Sequence, residues 1–315
     1  MAIDIRRYTS CDRDKWNRFI HEAKNATFLF EREYMDYHSD RFTDCSLIFE
    51  REGKMLALLP ANIEEDTLVS HRGLTYGGLV MSHETKTTDV IEIFEALRIY
   101  IKEILKAKKL IYKPLPHIYS PIPSEEPLYA LTRMGATIYS RTVSTTIATC
   151  CNAGINEQRR RGVKRAANAG IHCRESADIA VFWNILDNLL KERHHTTPTH
   201  TLSEISLLAS RFPHNIRLFT ANDDGDKVLA GVVVYETANV AHLQYIAASP
   251  AGKKAGALDM LIMHLIENVY KEKQYIDFGI STENGGKVLN EGLISQKEGF
   301  GGRAIVYDTY EMQVF

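Results

Sequence analysis

Lys297 is the residue whose type and setting point most directly to catalysis. It follows a short predicted helix whose apolar face carries Leu289, Leu293 and Ile294, and a glycine-rich turn comes next. An ammonium group there can stabilise the oxyanion that develops when an amine attacks an acyl carbonyl. One such donor is worth about 3–4 kcal/mol. The alternative is a solvated lysine, which the helix dipole favours at a helix C-terminus.

A second group of cations lies in the predicted helix from Glu157 to Ala169. Residues spaced by four place like charges on neighbouring positions, which is locally repulsive. A phosphate or carboxylate ligand would relieve that repulsion, because guanidinium groups bind oxyanions through two parallel hydrogen bonds. The sequence therefore predicts anion contacts for four residues of this helix: Arg160, Arg161, Lys164 and Arg165. An exposed helix balanced by acidic residues is the alternative.

A small-residue segment, Ser249-Pro-Ala-Gly-Lys-Lys-Ala-Gly-Ala257, joins a predicted strand to a predicted helix. Such a turn directs free backbone N–H groups at one point, which suits an anion such as a phosphate. Lys253, Lys254 and Gly256 are the predicted donor-binding residues of this segment. A tight strand-to-helix turn without a ligand explains the same residues.

The strand that enters this segment carries Gln244 and Tyr245. Side chains alternate along a strand, so only one of the two can face a cleft. A tyrosine hydroxyl there can protonate a leaving group or orient an acyl chain, which makes Tyr245 the second predicted catalytic residue and Gln244 a predicted pocket residue. A half-buried strand tyrosine is the alternative.

Histidines and loop aromatics supply the remaining candidates. Arg193, His194 and His200 form a predicted pocket loop with the run Arg193-His-His-Thr-Thr-Pro-Thr-His200, and Tyr76 lies in a Tyr-Gly-Gly loop of the first half. A neutral imidazole can act as a base for an amine acceptor, although a purely structural loop is the favoured alternative. The histidines lack cysteine or acidic ligands at usable spacing, so no metal site is predicted.

Composition excludes several classes of protein. The 315 residues are 44% hydrophobic and 25% charged with a net charge of -2, as expected for a globular chain without a general attraction to nucleic acid. No apolar run approaches the roughly 20 residues that span a bilayer, and the N-terminus lacks a signal-peptide core, so we predict a cytoplasmic protein. Five scattered cysteines argue against disulfides, and the pair Cys150-Cys151 is predicted to be buried at a strand end.

The elements that must position these residues occur in the same order twice. In each half of the chain, the residue pattern predicts a strand, two helices, a hairpin, a glycine-bearing segment, a long helix, a strand, a short helix and a last strand. The hairpins surround Gly53 and Gly225, and the long helices run from about Thr87 to Lys108 and from Ala257 onward. Two copies of one α+β fold explain this order.

Four sequence blocks carry a resemblance to a known family. They are Arg159-Arg-Arg-Gly-Val-Lys-Arg-Ala166, Arg193-His-His-Thr-Thr-Pro-Thr-His200, Ala257-Leu-Asp-Met-Leu261 and Asn290-Glu-Gly-Leu-Ile-Ser-Gln-Lys-Glu-Gly-Phe-Gly-Gly302. The second half, and the first half more loosely, resembles the FemAB-like acyltransferases, which consist of two GNAT-type acyltransferase domains in tandem. The last block is the most specific, because the family has a helix that ends in a lysine before a Gly-Phe-Gly turn.

The resemblance implies a fold, a reaction and co-substrates. It implies two tandem GNAT-like domains, each a mixed, mostly antiparallel sheet flanked by helices, at residues 1–150 and 151–315. The last strand, about 304–315, would return to the first domain. The donor would be an acyl-CoA or an aminoacyl-tRNA rather than a tightly bound cofactor, and the acceptor an amine, such as a cell-envelope precursor or amino sugar.

The sequence does not decide which acyl donor the protein uses. The GNAT signature for the coenzyme A diphosphate is Arg or Gln, two residues, Gly, one residue, then Gly or Ala, whereas this chain has Lys253, Gly256 and Leu258. A thioester donor and an aminoacyl ester donor both fit. The sequence therefore predicts an N-acyltransferase that acts by direct attack, with a catalytically inactive ligand-binding module of the same fold as the alternative. An RNA-binding protein is disfavoured by the overall acidity.

Overall fold

A computed structural model describes residues 2–151, 153–194 and 196–314, without the side chains of Arg193 and His194. The chain divides into two compact units. The first comprises Met1–Thr142, Gly285–Lys287 and Val306–Phe315, and the second comprises Val143–Asn284 and Val288–Ile305. The division falls inside two strands, between Thr142 and Val143 and between Ile305 and Val306, and also sets apart the turn Gly285–Lys287.

The first unit combines two groups of strands with helices. Its elements are β1 (Asp4–Arg7), α1 (Arg13–Glu22), α2 (Arg32–Met35), β2 (Leu47–Arg51), β3 (Lys54–Leu59), β4 (Asn62–Glu64), β5 (Thr67–Val69), β6 (Val80–Met81), α3 (Thr87–Glu103), β7 (Lys109–Tyr112), α4 (Glu126–Arg133) and the start of β8 (Thr137–Ala148). Strands β1, β2, β3 and β6 are adjacent and antiparallel. The apolar face of α3 covers them, with Val90, Phe94 and Leu97 fully buried.

The second unit is a mixed sheet with helices around it. Its elements are the end of β8, α5 (Glu157–Asn168), β9 (His172–Ser176), α6 (Ile179–His194), α7 (Leu202–Arg211), β10 (Ile216–Asn222), β11 (Val228–Glu236), β12 (Val240–Ala248), α8 (Pro250–Ala255), α9 (Ala257–His264), β13 (Tyr275–Ile280), β14 (Thr282–Glu283), β15 (Val288–Leu289), α10 (Glu291–Glu298) and the start of β16 (Arg303–Gln313), whose remaining residues belong to the first unit. Strands β9 to β12 are antiparallel neighbours, and β13 runs parallel to β12 and antiparallel to β8.

The core of the second unit forms where α9 packs on the sheet. Leu261, Ile262 and Leu265 lie at helical spacing and are buried against β10, β11 and β12. A π-helical turn, Leu265–Val269, continues α9 and ends the helix at Tyr270. This packing holds the N-terminus of α9 close to the end of β12.

Two local predictions are wrong. The segment after β12, predicted as a turn, is a short helix, α8, because the Ser249 hydroxyl caps it by accepting from Gly252 N at 3.1 Å and Pro250 occupies its first turn. Cys150 and Cys151 are exposed, not buried, because β8 ends before them and they lie in a 3-10 turn at Thr149–Cys151.

Candidate active site

Strands β12 and β13 form a fork in the second unit. Their parallel pairing runs from Val240↔Tyr275 to His242↔Asp277 and then stops. Beyond that point β12 carries a bulge, because Val233 and Val234 of β11 oppose Tyr245 and Leu243 and leave Gln244 unmatched. The ladder between the two strands therefore ends before β12 reaches α8, and the strands separate there.

Two glycines bring α5 against the junction of α8 and α9. Gly256 has φ +80°, and a Cβ there would lie 2.4 Å from the carbonyl oxygen of Gly162. A Cβ on Gly162 would lie 1.9 Å from Asp259 Oδ2. Arg159 secures the contact, because its Nη1 donates to Asp259 Oδ1 at 2.6 Å. The basic face of α5 consequently adjoins the N-terminus of α9.

A basic cavity of about 540 Å³ lies at this junction. Its cationic walls are Arg159, Arg161, Arg165 and Lys253, and its one carboxylate, Asp259, is paired with Arg159. Gly252 and Gly256 contribute backbone, and no side chain caps the first turn of α9. Cationic side chains and uncapped helix N–H groups together favour a phosphate or diphosphate group.

The other predicted cations do not line this cavity. Arg160 and Lys164 lie on a different face of α5, and Arg160 comes within 3.7 Å of Glu157 instead. Lys254 is exposed one residue beyond Lys253. Of the seven predicted anion-binding residues, the structure thus brings together Arg161, Arg165, Lys253 and Gly256.

An apolar cavity of about 410 Å³ adjoins the basic one. Leu186 and Leu190 of α6, Ile246 of β12, Phe278 of β13, Leu293 of α10 and Phe300 contribute to its walls. Lys253, Leu258 and Gln296 line both cavities. An elongated ligand with an anionic end and an apolar arm therefore fits the two cavities together.

Lys297 lies in the wall of the apolar cavity and is only 5% exposed. Its ammonium donates to the carbonyl oxygens of Gly279 and Ile280, each at 2.8 Å. Burial lowers the pKa of Lys297 to about 8, and the charge of Asp277 partly opposes that change. An ammonium has three donors, and the third has no partner among the described residues, so it is available to a ligand.

Comparisons with known proteins identify the fold. The family model "Acetyltransferase (GNAT) domain" matches residues 154–284. The crystal structure of FemX is 10% identical with a TM-score of 0.67, covering 98% of this chain and 97% of that one. The C-terminal domain of a putative lysylphosphatidylglycerol synthetase from Agrobacterium fabrum is 12% identical with a TM-score of 0.60, covering 97% and 92%.

A tandem GNAT protein from the clavulanic acid biosynthesis pathway is 12% identical with a TM-score of 0.52, covering 99% of each chain. This chain has the FemAB-like tandem GNAT fold. The α+β fold class predicted from the sequence is confirmed. The comparison with curated proteins found no match.

Within the second GNAT domain, Tyr245 and His200 form a pair apart from both cavities. The Tyr245 hydroxyl lies 2.5 Å from His200 Nδ1, and the Tyr245 ring contacts Trp183 edge to face. Both residues are buried. Gln244, at the bulge, has a buried Oε1 without a hydrogen-bond partner among the described residues.

The remaining predicted pocket residues lie elsewhere. Arg193 and His194 are in the last turn of α6, but their side chains lie outside the described part of the structure, as does all of His195. Tyr76 belongs to the first unit of the fold, where it is 3% exposed, contacts Phe30 and donates to Thr27 at 3.2 Å.

Within residues 2–151, 153–194 and 196–314, no group of three or more His, Cys, Asp and Glu is placed to hold a metal ion. No helix in those same ranges has the length and apolar character that a membrane crossing requires.

The sequence assigned no separate role to three contributors to this candidate site, although Arg159 lies in the basic segment considered for anion contact. Gln296 lines both cavities one residue before Lys297, Arg159 is bound to Asp259, and His242 is paired with Asp277 across the fork. The two pairs join residues 100 and 35 positions apart, so spacing alone carried no signal for them. The one visible signal was a charged residue, Asp277, inside the apolar strand Tyr-Ile-Asp-Phe-Gly-Ile.

Proposed function

We propose that this protein is an N-acyltransferase that moves an acyl group from a coenzyme A thioester to the amine of a small-molecule acceptor. The observation that carries the proposal is the shared wall of Lys253, Leu258 and Gln296 between the basic and apolar cavities. Coenzyme A has this shape, a diphosphate joined to a long, weakly polar arm that ends in the reactive thioester. Cell-envelope precursors and amino sugars, which the resemblance implies, are the acceptor class to be tested.

The cationic walls supply affinity for the diphosphate. Arg161 and Arg165 are one helical turn apart on α5 and face the same cavity as Lys253. Arginine binds phosphate oxygens through paired hydrogen bonds, and the first-turn N–H groups of α9 add the helix dipole. Four cations around one paired carboxylate leave the cavity strongly positive.

Lys297 supplies the countercharge for the chemical step. The amine nitrogen attacks the carbonyl carbon, a negative charge forms on the carbonyl oxygen, and the C–S bond breaks to release the thiol. Because Gly279 O and Ile280 O fix two of the three N–H donors of Lys297, the third needs little reorganisation to meet the oxyanion. Holding donor and acceptor together adds the advantage of proximity.

An aminoacyl-tRNA is the second candidate donor. FemX and a protein named lysylphosphatidylglycerol synthetase share the fold. An aminoacyl ester also develops an oxyanion that Lys297 would stabilise. The basic cavity is compact, at about 540 Å³, which fits a diphosphate and favours the coenzyme A thioester.

A thermal-shift panel followed by a turnover assay tests the proposal. The purified chain is heated with acetyl-CoA, longer acyl-CoAs or charged tRNA, and the donor that stabilises it is then incubated with amine acceptors. We expect stabilisation by an acyl-CoA and release of free thiol that depends on the amine. Deacylation of tRNA instead identifies the second donor. Binding without turnover of any donor indicates a ligand-binding module and refutes the proposal.

The helix α5 offers a matched pair of variants. Arg161→Ala/Arg165→Ala removes two cations from the cavity, whereas Arg160→Ala/Lys164→Ala removes two from a face that does not line it. We expect the first variant to raise KM for acyl-CoA at least tenfold and the second to change it less than twofold. Equal effects of the two variants would show that only the net charge of the helix matters.

A further inference from the structure

A buried histidine–aspartate pair lies at the base of the fork between β12 and β13. His242 and Asp277 are the last matched residues of the parallel ladder. Asp277 is fully buried and accepts hydrogen bonds from Ser144 Oγ at 2.5 Å, Thr146 Oγ1 at 2.8 Å and His242 Nδ1 at 2.7 Å. Burial would raise the pKa of Asp277, but these hydrogen bonds, led by that of His242, hold it well below its usual range.

The ionised carboxylate decides which imidazole nitrogen carries the proton. A carboxylate can only accept, so Nδ1 of His242 must be the donor, and in the neutral ring Nε2 is then a free base. The His242 side chain is 11% exposed. Its Nε2 has no hydrogen-bond partner in the described part of the chain.

Gly279 leaves space beside that nitrogen. Its φ is +72°, and a Cβ there would lie 3.9 Å from His242 Nε2 and 3.3 Å from Cε1. The carbonyl oxygen of the same glycine accepts from Lys297. The imidazole and the ammonium therefore adjoin one residue of β13, immediately beyond the point where the strands separate.

The pair faces away from the donor cavity. Ala241, Leu243, Ile276 and Phe278 belong to the core beneath α9, and Phe278 also lines the apolar cavity. Strand alternation directs His242 and Asp277 to the opposite side of the sheet. The hydrogen-bonded ladder between β12 and β13 ends at this pair. We therefore expect that a group on the His242 face of the sheet can reach, through the fork, the carbonyl of a donor held on the α9 face.

We propose that His242 Nε2 is the general base of the transfer reaction and that the acceptor amine approaches from the face of the sheet opposite α9. The neutral amine attacks the thioester carbonyl, and the new N–C bond leaves a proton on nitrogen that passes to Nε2. The C–S bond then breaks, and the imidazolium returns the proton to the thiolate. Amine and thioester are converted to amide and thiol, and His242 is regenerated. Asp277 is a positioning residue.

This inference rests on the proposed acyl transfer, and His242→Asn tests it. The asparagine amide can replace Nδ1 as a donor to Asp277 while Nε2 is deleted. With acetyl-CoA, or whichever acyl-CoA stabilises the protein, and an amine, we expect kcat for thiol release to fall about 10²- to 10⁴-fold. KM for the acyl-CoA and the melting temperature should change little. His214→Asn, an exposed histidine on the same unit, is the control and should retain the wild-type rate.

Chemical rescue distinguishes a base from a structural residue. Imidazole added to His242→Ala should restore a measurable part of the lost rate, and His242→Ala/Asp277→Asn should not be rescued. The inference is overturned if His242→Asn keeps the kcat of the wild-type protein, or if His242→Ala folds but imidazole does not rescue it. In either case the proposed function still holds as long as the wild-type protein releases thiol. If the wild-type chain releases no thiol from any acyl-CoA, both proposals fail.

Discussion

Two backbone carbonyls orient the ammonium of Lys297, and apolar side chains lie around it in the cavity wall. Gly279 O and Ile280 O accept two of its protons, and Leu293 and Phe300 lie in the same cavity wall. Such a charge costs desolvation energy in the resting protein and interacts strongly with any charge that develops beside it. A lysine placed only for solubility would be on the outer face of α10.

Lys297→Met should separate catalysis from folding. Methionine has a similar length and keeps the apolar contacts but supplies no charge to the oxyanion. We expect kcat to fall about 10²- to 10³-fold with little change in KM for the donor, as for loss of one oxyanion donor. Steady-state kinetics and a melting curve check this. Lys271→Met, an exposed lysine of the same unit, is the control, and comparable losses in both variants would contradict a catalytic role.

The pKa of Lys297 gives a pH signature. Its ordinary value is 10.5, and burial lowers it to about 8. Oxyanion stabilisation needs the protonated form, so we expect kcat to fall as pH rises through about 8. Between that pH and 10.5 the unfolded chain holds a proton that the native lysine has released, so this group increases the free energy of unfolding as pH rises. A rate that holds constant to pH 10 would exclude an ammonium in the step.

At the scale of elements, the close approach of α5 to the turn between α8 and α9 shapes the basic cavity. Gly256 serves twice, since its positive φ ends α8 and begins α9, and its missing Cβ admits the Gly162 carbonyl. A side chain there would both strain the backbone and push α5 outward. Arg161 and Arg165 would then move with the helix.

Gly256→Ala should therefore destabilise the protein more than an alanine at another position with positive φ. Gly154 has a similar φ of +75° but has nothing within 4 Å of an added Cβ, so Gly154→Ala measures backbone strain alone, about 1–2 kcal/mol. We expect Gly256→Ala to lose more than that in the free energy of unfolding and to raise KM for acyl-CoA. Urea denaturation and donor kinetics provide the measurements. Equal destabilisation by the two substitutions would show that the helices separate without cost.

The sequence predicted the helices and strands better than the contacts between them. The helix predicted from Glu157 to Ala169 matches α5 within one residue. Helical spacing could show that Arg161 and Arg165 share a face, but not that this face, rather than that of Arg160 and Lys164, adjoins α9. That choice depends on Gly162 and Gly256, whose contact joins distant parts of the chain. The short helix α8 carried a visible signal, a Ser-Pro start and a glycine end.

At the scale of the whole chain, the last strand completes a core that begins far upstream. Residues Val306–Phe315 group with Met1–Thr142. In β16, Met312 opposes Leu110 of β7 and is fully buried, and Val314 N donates to Lys108 O at 2.8 Å. The first unit therefore cannot complete its core until the chain has been synthesised through Val314. A repeated order of elements predicts two similar units. That order alone cannot show that a strand distant in the sequence belongs to the first unit.

Met312→Ala tests that dependence, and the two tryptophans make it measurable. Trp16 lies in the first unit and Trp183 in the second, so Trp183→Phe and Trp16→Phe backgrounds report on each unit separately by fluorescence. Removing the buried thioether should lower the unfolding free energy reported by Trp16 by about 2–5 kcal/mol, more than that reported by Trp183. Gln313→Ala, an exposed neighbour on the same strand, should change either value by about 0.5 kcal/mol or less. An unaltered Trp16 transition would mean that the buried contact of β16 does not contribute to the stability of the first unit.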